Sequence, residues 1–96
     1  MYGLITRLTA APGRRDELAL GLLDPGIRRP GCHSYVVAFE PADDAAVWVT
    51  EVWISEEAHR AANAEPDTRA LLRMSLPLIA VFGDTQITTP MGGIGL

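Results

Sequence analysis

The sequence predicts a small α+β domain, on three observations. Four β-prone segments recur along the chain, at about residues 2–9, 32–40, 46–54 and 80–89. Apolar side chains at helical spacing follow the first and the third of these segments. The 96 residues, 48% of them hydrophobic and 21% charged, have the size and composition of one folded domain. We therefore expect a single domain that spans 1–96.

The first strand and the first helix are separated by an Ala-Pro-Gly break. Tyr2–Thr9 is rich in β-formers and alternates between two faces, which predicts a strand. A helix should follow from about Arg14, because Leu18, Leu22 and Leu23 are spaced for one buried face. A Pro-Gly pair then stops this helix.

The next two strands form a predicted hairpin. Cys32–Glu40 and Ala46–Ile54 both have strand character, and only five residues of turn chemistry separate them. In the second strand, alternation places Glu51 on the same face as Trp53. The sequence therefore predicts an antiparallel pair of strands that carries both side chains on one face.

Two helices and a last strand complete the predicted chain. Ser55 is a good N-cap for a short helix, and Pro66 can open a second helix at its first position. Pro77 should end or kink that second helix, and Ala80–Thr89 is the last strand. The glycine-rich tail 90–96 should be flexible unless it docks on a partner subunit.

The order strand, helix, strand, strand, helices, strand is that of the split βαβ, ferredoxin-like arrangement with an antiparallel sheet. Helices cover one face of such a sheet, and no residues remain in the chain to cover the other face. A second copy packed sheet to sheet would cover it. We therefore expect a homodimer that forms through the sheet face and the C-terminal strand.

Charge and composition disfavour several classes of partner. The formal net charge is −4, and the acidic segment 43–67 would repel a phosphate backbone, so we expect no nucleic-acid partner. No stretch approaches the roughly 18 apolar residues of a membrane span, and no basic-then-apolar leader opens the chain. The single cysteine, Cys32, fits a reducing compartment, and the cytoplasm is the expected location. Two histidines without a cysteine or histidine cluster predict no metal site.

Three stretches of the chain together resemble a known family. They are APGRRDEL at 11–18, PGCHSY at 30–35 and TEVWISEEAH at 50–59, in the order and spacing of the antibiotic biosynthesis monooxygenase (ABM) family. The resemblance covers about residues 2–83. It implies a dimeric α/β barrel and oxidation of small aromatic substrates, such as quinols or anthrones, by O2. It also implies that no metal or flavin cofactor is needed, and that the pocket lies between sheet and helices.

Three residues are candidates for catalysis. By the resemblance, Trp53 lines the pocket, where its indole could hold an oxygen atom and stack on an aromatic ring. His59 could deprotonate a phenol or hydroquinone, which yields the electron-rich anion that reacts with O2. Arg73, on a helix that bears an arginine in related monooxygenases, could offer a cation to a phenolate or superoxide. The structural alternatives are a core tryptophan, a surface histidine and a solvated arginine.

Four further residues are candidates for substrate binding: Thr6, Val49, Glu51 and Leu72. Glu51 would be costly if it were buried beside Trp53 without a partner. An arginine such as Arg7 or Arg73 would relieve this cost.

Haem degradation and thiol chemistry are disfavoured. The haem-degrading relatives carry an asparagine at the place of Thr6 and a haem-binding histidine near 71–73, and this chain has neither. Cys32 and His33 are adjacent in a strand, so alternation should point their side chains to opposite faces.

Three functions remain open from the sequence. The first is a cofactor-independent monooxygenase, the second a non-enzymatic dimeric module that binds a small ligand, and the third an isomerase or cyclase on the same scaffold. Only the first of these would consume O2.

Overall fold

The chain has four strands and three α-helices, in a computed structural model that describes residues 1–96. The order is the one that the sequence predicts, with a short 3-10 turn before the last strand. The elements are β1 (Tyr2–Ala10), α1 (Arg15–Leu22), β2 (Cys32–Phe39), β3 (Ala46–Trp53), α2 (Glu56–Ala64), α3 (Pro66–Ser75), the turn Leu76–Leu78 and β4 (Ile79–Thr88).

The strands form one antiparallel sheet in the order β2-β3-β1-β4. This is the ferredoxin-like order, so the predicted fold class is confirmed. At one end of the sheet Trp53 of β3 lies between Tyr2 of β1 and Cys32 of β2. This row of three side chains on one face sets the position of the site described below.

The hydrophobic core lies between the sheet and helix α1. Leu18 is fully buried and Leu22 is 7% exposed, as the helical spacing predicts. Leu23 is 47% exposed because the helix ends at Leu22, so its assignment to the same buried face was wrong. The core cluster comprises Leu8, Ala10, Leu18, Leu22, Val47, Val49 and Leu78.

Capping residues set the limits of the two later helices. The Ser55 hydroxyl accepts a hydrogen bond from the backbone N–H of Ala58 at 3.1 Å, which starts α2 as predicted. Glu65 caps α3 in the same way through the backbone N–H of Thr68, and Pro66 occupies the first turn. None of the helices is long and apolar enough to span a membrane.

A bulge interrupts the alternation at the start of β2. Cys32 pairs with Trp53 and Ser34 pairs with Val52, so His33 is an extra residue between two paired positions. Cys32 therefore shares the face of Tyr35, and not that of Ser34 as strict alternation predicts. The His33 side chain is exposed to solvent.

The outer strand β4 and the second sheet face carry exposed apolar side chains. On β4, Val81, Phe82 and Ile87 are 55%, 64% and 67% exposed. On the sheet face opposite the helices, Val36 and Trp48 are 51% and 37% exposed. The helices of one chain therefore leave a substantial part of the sheet without cover.

A polar network occupies this second face beside the hairpin. Arg7 donates from Nε to Glu40 at 3.1 Å and from Nη2 to Asp43 at 3.0 Å. Trp48 donates from Nε1 to the same Glu40 carboxylate at 3.0 Å. These contacts lower the pKa of Glu40, chiefly through Arg7, and the pKa of Asp43, chiefly through the backbone N–H of Ala45 and then Arg7.

Replacement of Arg7 should make stability less sensitive to acid. Carboxylates with a lowered folded-state pKa stabilise the fold above their ordinary pKa values, 4.5 for Glu40 and 3.8 for Asp43, and lose this effect as the pH falls. Arg7→Gln removes the positive charge beside Glu40 and Asp43, so the pKa of each carboxyl in the folded state moves closer to its value in the unfolded state. Urea unfolding at neutral pH and at about pH 3 should show a smaller loss of stability in Arg7→Gln than in the wild type. Arg69→Gln, at an exposed arginine of α3, is the control. An equal acid-induced loss in all three proteins would contradict the prediction.

Candidate active site

Trp53 ends strand β3 beneath helix α2. Its side chain is 1% exposed, and it lies on the face of the sheet that carries the helices. The backbone N–H of Ile54 donates to the Gly31 carbonyl at 2.8 Å, after which the Ser55 cap turns the chain into α2. The helix thus returns directly over the Trp53 ring, and this matches the structural alternative of a core tryptophan.

Glu51 lies two residues before Trp53 on the same face of β3. The Trp53 indole donates from Nε1 to Glu51 Oε1 at 3.0 Å. The Glu51 side chain is only 14% exposed. The arginine partner that the sequence left open is not found, because Arg7 pairs with Glu40 and Asp43 instead.

His59 of α2 lies against both of these residues. Its ring meets the Trp53 ring edge-on, with centroids 5.1 Å apart, and the Tyr2 ring at 5.7 Å. Its Nε2 lies 3.9 Å from Glu51 Oε1 and 3.0 Å from Asn63 Nδ2. With 22% of its side chain exposed, His59 is half-buried in a cluster and is not a freely solvated surface histidine.

The cluster of Glu51, Trp53, His59, Tyr2 and Asn63 places an imidazole and a carboxylate beside two aromatic rings. An imidazole has nitrogens that can donate or accept a proton, and the Glu51 carboxylate lies 3.9 Å from Nε2 of this one. The Trp53 indole N–H is already donated to Glu51, so in this arrangement it is not free to hold an oxygen atom. Among the candidate catalytic residues of the cluster, His59 is therefore the one with a ring nitrogen available for proton exchange.

Three of the predicted substrate-binding residues lie outside this cluster. Val49 is 4% exposed and belongs to the core, and Leu72 packs against that core. The Thr6 hydroxyl lies 3.1 Å from the Thr85 hydroxyl on β4. The structure thus groups Glu51 with the candidate catalytic residues and places the other three elsewhere.

Arg73 is likewise separate from the cluster. It is exposed on α3 and lines a shallow depression of about 180 Å³ together with Pro66, Arg69 and Ala70. Trp53 and His59 are therefore brought together, while Arg73 is not placed beside them within one chain.

Sequence reasoning missed two members of the cluster, Tyr2 and Asn63. Asn63 follows His59 by four residues in a predicted helix, a spacing at which two side chains are neighbours. That signal was present in the sequence. Tyr2 faces Trp53 only through the register of β1 on β3, which the sequence does not reveal.

The largest cleft of the chain lies on the β2 side of α2, whereas His59 faces Tyr2 of β1. It measures about 730 Å³, and its walls are mainly small side chains and backbone, with Arg28, Glu65 and Asp67 as the charged groups. This volume is that of a small-molecule site. No three His, Cys, Asp or Glu side chains come together in a way that could hold a metal ion.

Burial favours the neutral forms of the Cys32 thiol and the Tyr35 phenol, which lie beside the cluster on β2. The pKa of Cys32 is raised by desolvation, and its thiol donates to the Ser34 carbonyl at 3.3 Å. The pKa of Tyr35 is also raised by desolvation, and the Arg29 guanidinium stacks on its ring at 3.7 Å. Neither group is therefore an activated nucleophile or base at neutral pH.

The chain is thus a ferredoxin-like domain in which a histidine, a glutamate and two aromatic rings lie together. The sequence matches the model of the antibiotic biosynthesis monooxygenase family over residues 1–73. The chain therefore belongs to that family, and the resemblance read from the three sequence stretches is confirmed. No functionally curated protein matches the sequence.

Solved structures support the same assignment. A protein from Chloroflexus aurantiacus that carries the same family name is 43% identical, with a TM-score of 0.89 over 96% of this chain and 94% of that one. Another, from Caulobacter crescentus, is 18% identical, with a TM-score of 0.82 over 95% and 90% of the two chains. SnoaB, a cofactor-independent oxygenase from Streptomyces nogalater, is 19% identical, with a TM-score of 0.78 over 97% and 95%. The last two similarities concern the fold alone.

The two tryptophans allow a matched test of the buried hydrogen bond. Each indole donates to a glutamate at 3.0 Å, but Trp53 is 1% exposed and Trp48 is 37% exposed. Trp53→Phe leaves Glu51 without its donor in a water-poor place and should lower the unfolding free energy by about 1–3 kcal/mol. Trp48→Phe should change it by less than about 1 kcal/mol, because water and Arg7 still satisfy Glu40. Equal losses in urea unfolding would show that the Glu51–Trp53 bond has no special role.

Proposed function

We propose that this protein is a cofactor-independent monooxygenase that oxidises a small aromatic substrate of the quinol or anthrone type with O2. The observation that carries the proposal is the half-buried His59, held against Glu51 and Trp53 in a member of the ABM family. Membership of the family supports monooxygenase chemistry. The similarity in fold to SnoaB, a cofactor-independent oxygenase, supports the absence of a cofactor requirement.

The proposed reaction begins with a proton transfer to His59. The substrate O–H or activated C–H bond breaks, and its electron pair stays on the aromatic system as an anion. This anion gives one electron to O2, and the resulting radical and superoxide combine to a peroxide. Loss of water from the peroxide leaves one oxygen atom in the product, so that an anthrone CH2 becomes C=O. The four electrons that O2 accepts all come from the substrate.

The neighbours of His59 assist this step by electrostatics and by shape. The Glu51 carboxylate lies 3.9 Å from Nε2 and is the negative charge that faces the imidazolium formed in this step. Trp53 and Tyr2 form an aromatic wall on which the ring of the substrate anion can pack.

We further propose that the working form is a homodimer of the dimeric α/β barrel type. Val81, Phe82 and Ile87 on β4 and Val36 on the second sheet face leave apolar area that a second copy would cover. A dimer would also enclose the open side of the cluster, since Tyr2 belongs to the strand β1 that pairs with β4. Exclusion of water at that side would strengthen the electrostatic contacts of His59.

Oxygen uptake tests the enzymatic proposal. Purified metal-free protein should consume O2 with a panel of hydroquinones and anthrones, faster than the spontaneous reaction. His59→Gln should lower kcat by about 10²–10⁴-fold, because the proton acceptor is removed. His33→Gln, at the exposed second histidine, is the matched control and should retain full activity.

Other outcomes would point to the alternative functions. Uptake that persists in His59→Gln would remove this residue from the reaction. Turnover of a substrate without O2 uptake would indicate an isomerase or cyclase. Saturable binding without turnover would indicate a ligand-binding module, for which the cleft of about 730 Å³ is the available site.

Sedimentation tests the proposed dimer. The wild-type protein at micromolar concentration should sediment with twice the 10.3 kDa mass of one chain. Phe82→Arg places a charge on the exposed apolar side of β4 and should weaken the association at least about tenfold. A folded wild-type monomer at these concentrations would contradict the proposal.

A further inference from the structure

The two nitrogens of the His59 ring have different surroundings. Both polar contacts of the imidazole involve Nε2, which lies 3.0 Å from Asn63 Nδ2 and 3.9 Å from Glu51 Oε1. Nδ1 has no hydrogen-bond partner within the chain. A neutral imidazole carries one proton, so the surroundings decide which nitrogen holds it and which nitrogen has the free lone pair.

The Glu51 carboxylate favours the proton on Nε2. An ionised carboxylate only accepts hydrogen bonds, and it repels a nitrogen lone pair that faces it. Its side chain is 14% exposed, so solvent screens this interaction only in part. The Trp53 indole fixes the same Oε1 atom at 3.0 Å and thereby keeps the carboxylate in place opposite the ring.

Asn63 is compatible with this arrangement. Its amide can present either the NH2 group or the oxygen to Nε2 after a half-turn, because the two ends have nearly the same shape. Asn63 is exposed to solvent, so the core does not resist that turn. With the oxygen facing the ring, Asn63 accepts the Nε2 proton and holds the ring plane from the helix side.

We propose that Glu51 and Asn63 are positioning residues that keep the His59 proton on Nε2 and leave Nδ1 as the atom that accepts the substrate proton. The assignment of Nδ1 as the acceptor rests on the proposed function; the position of the neutral proton does not. When the substrate bond breaks, a new N–H bond forms at Nδ1 and the imidazolium keeps its Nε2 proton toward Glu51. The proton later passes from Nδ1 to the outer oxygen of the peroxide. The O–O bond then breaks, and this oxygen leaves as water with that proton and the second proton of the substrate carbon, while the inner oxygen stays in the product as C=O.

Nitrogen NMR on the intact protein tests the position of the proton. The chain has two histidines, so the ring signals of His59 and of the exposed His33 can be assigned with one variant. At a pH where both rings are neutral, His59 should have its proton on Nε2 to a greater extent than His33. Glu51→Gln keeps an oxygen for the Trp53 indole but removes the charge, so it should shift His59 toward the Nδ1-protonated form. Glu57→Gln, at an exposed glutamate on the helix that carries His59, should leave the position of the His59 proton unchanged.

A wild-type His59 that carries its proton on Nδ1 would overturn the proposal, and so would an unchanged ratio in Glu51→Gln. These measurements need no substrate, so they remain decisive even if no O2 uptake is found. With an active enzyme, Glu51→Gln and Asn63→Ala should each lower kcat, the former at least about tenfold, with KM within about twofold of the wild type. A rise in KM at unchanged kcat would place both residues in substrate binding and overturn their positioning role.

Discussion

A carboxylate with 14% of its side chain exposed, and with no arginine beside it, is the constraint on which the rest of the site depends. Burial of an ionised group is unfavourable unless hydrogen bonds compensate for the lost water. At Glu51 the compensation comes from the Trp53 indole, and His59 lies within range of the same oxygen. The charge therefore determines the orientation of the indole and of the imidazole together. In that orientation the buried Trp53 ring holds Glu51 in place, and His59 is half-buried above it.

The architecture brings these side chains together through a chain reversal of only a few residues. β3 ends at Trp53, Ser55 caps α2, and the first turns of α2 bring His59 back over the tryptophan. The remaining side of the cluster is formed by Tyr2 on the central strand β1. Because β1 also pairs with the uncovered strand β4, any partner that covers β4 approaches the cluster as well. In the proposed dimer, assembly and chemistry would thus be physically linked.

Most of the fold and about half of the candidate site could be predicted from the sequence. Strands and helix starts were readable because they depend on local signals, such as the Ser55 cap and the first-turn position of Pro66. Trp53 and His59 are near neighbours in the sequence, and the reversal at Ser55 brings them together as expected. The bulge at His33 was not readable, because an extra residue in a strand leaves no mark in the alternation before the pairing is known. Whether Glu51 has an arginine partner stayed open from the sequence, because ion pairing depends on which side chains share a face of the sheet, and β1 presents Arg7 to the other face.

The most direct test of the central claim separates proton removal from oxygen chemistry. Anthrone is incubated with the protein in D2O without O2, and exchange of its methylene protons for deuterium is followed by proton NMR. If His59 removes the substrate proton, the protein accelerates this exchange, and His59→Gln loses the acceleration while His33→Gln retains it. Exchange at the spontaneous rate with protein that does consume O2 and anthrone would contradict the account, because the reaction would then proceed without proton transfer to the cluster.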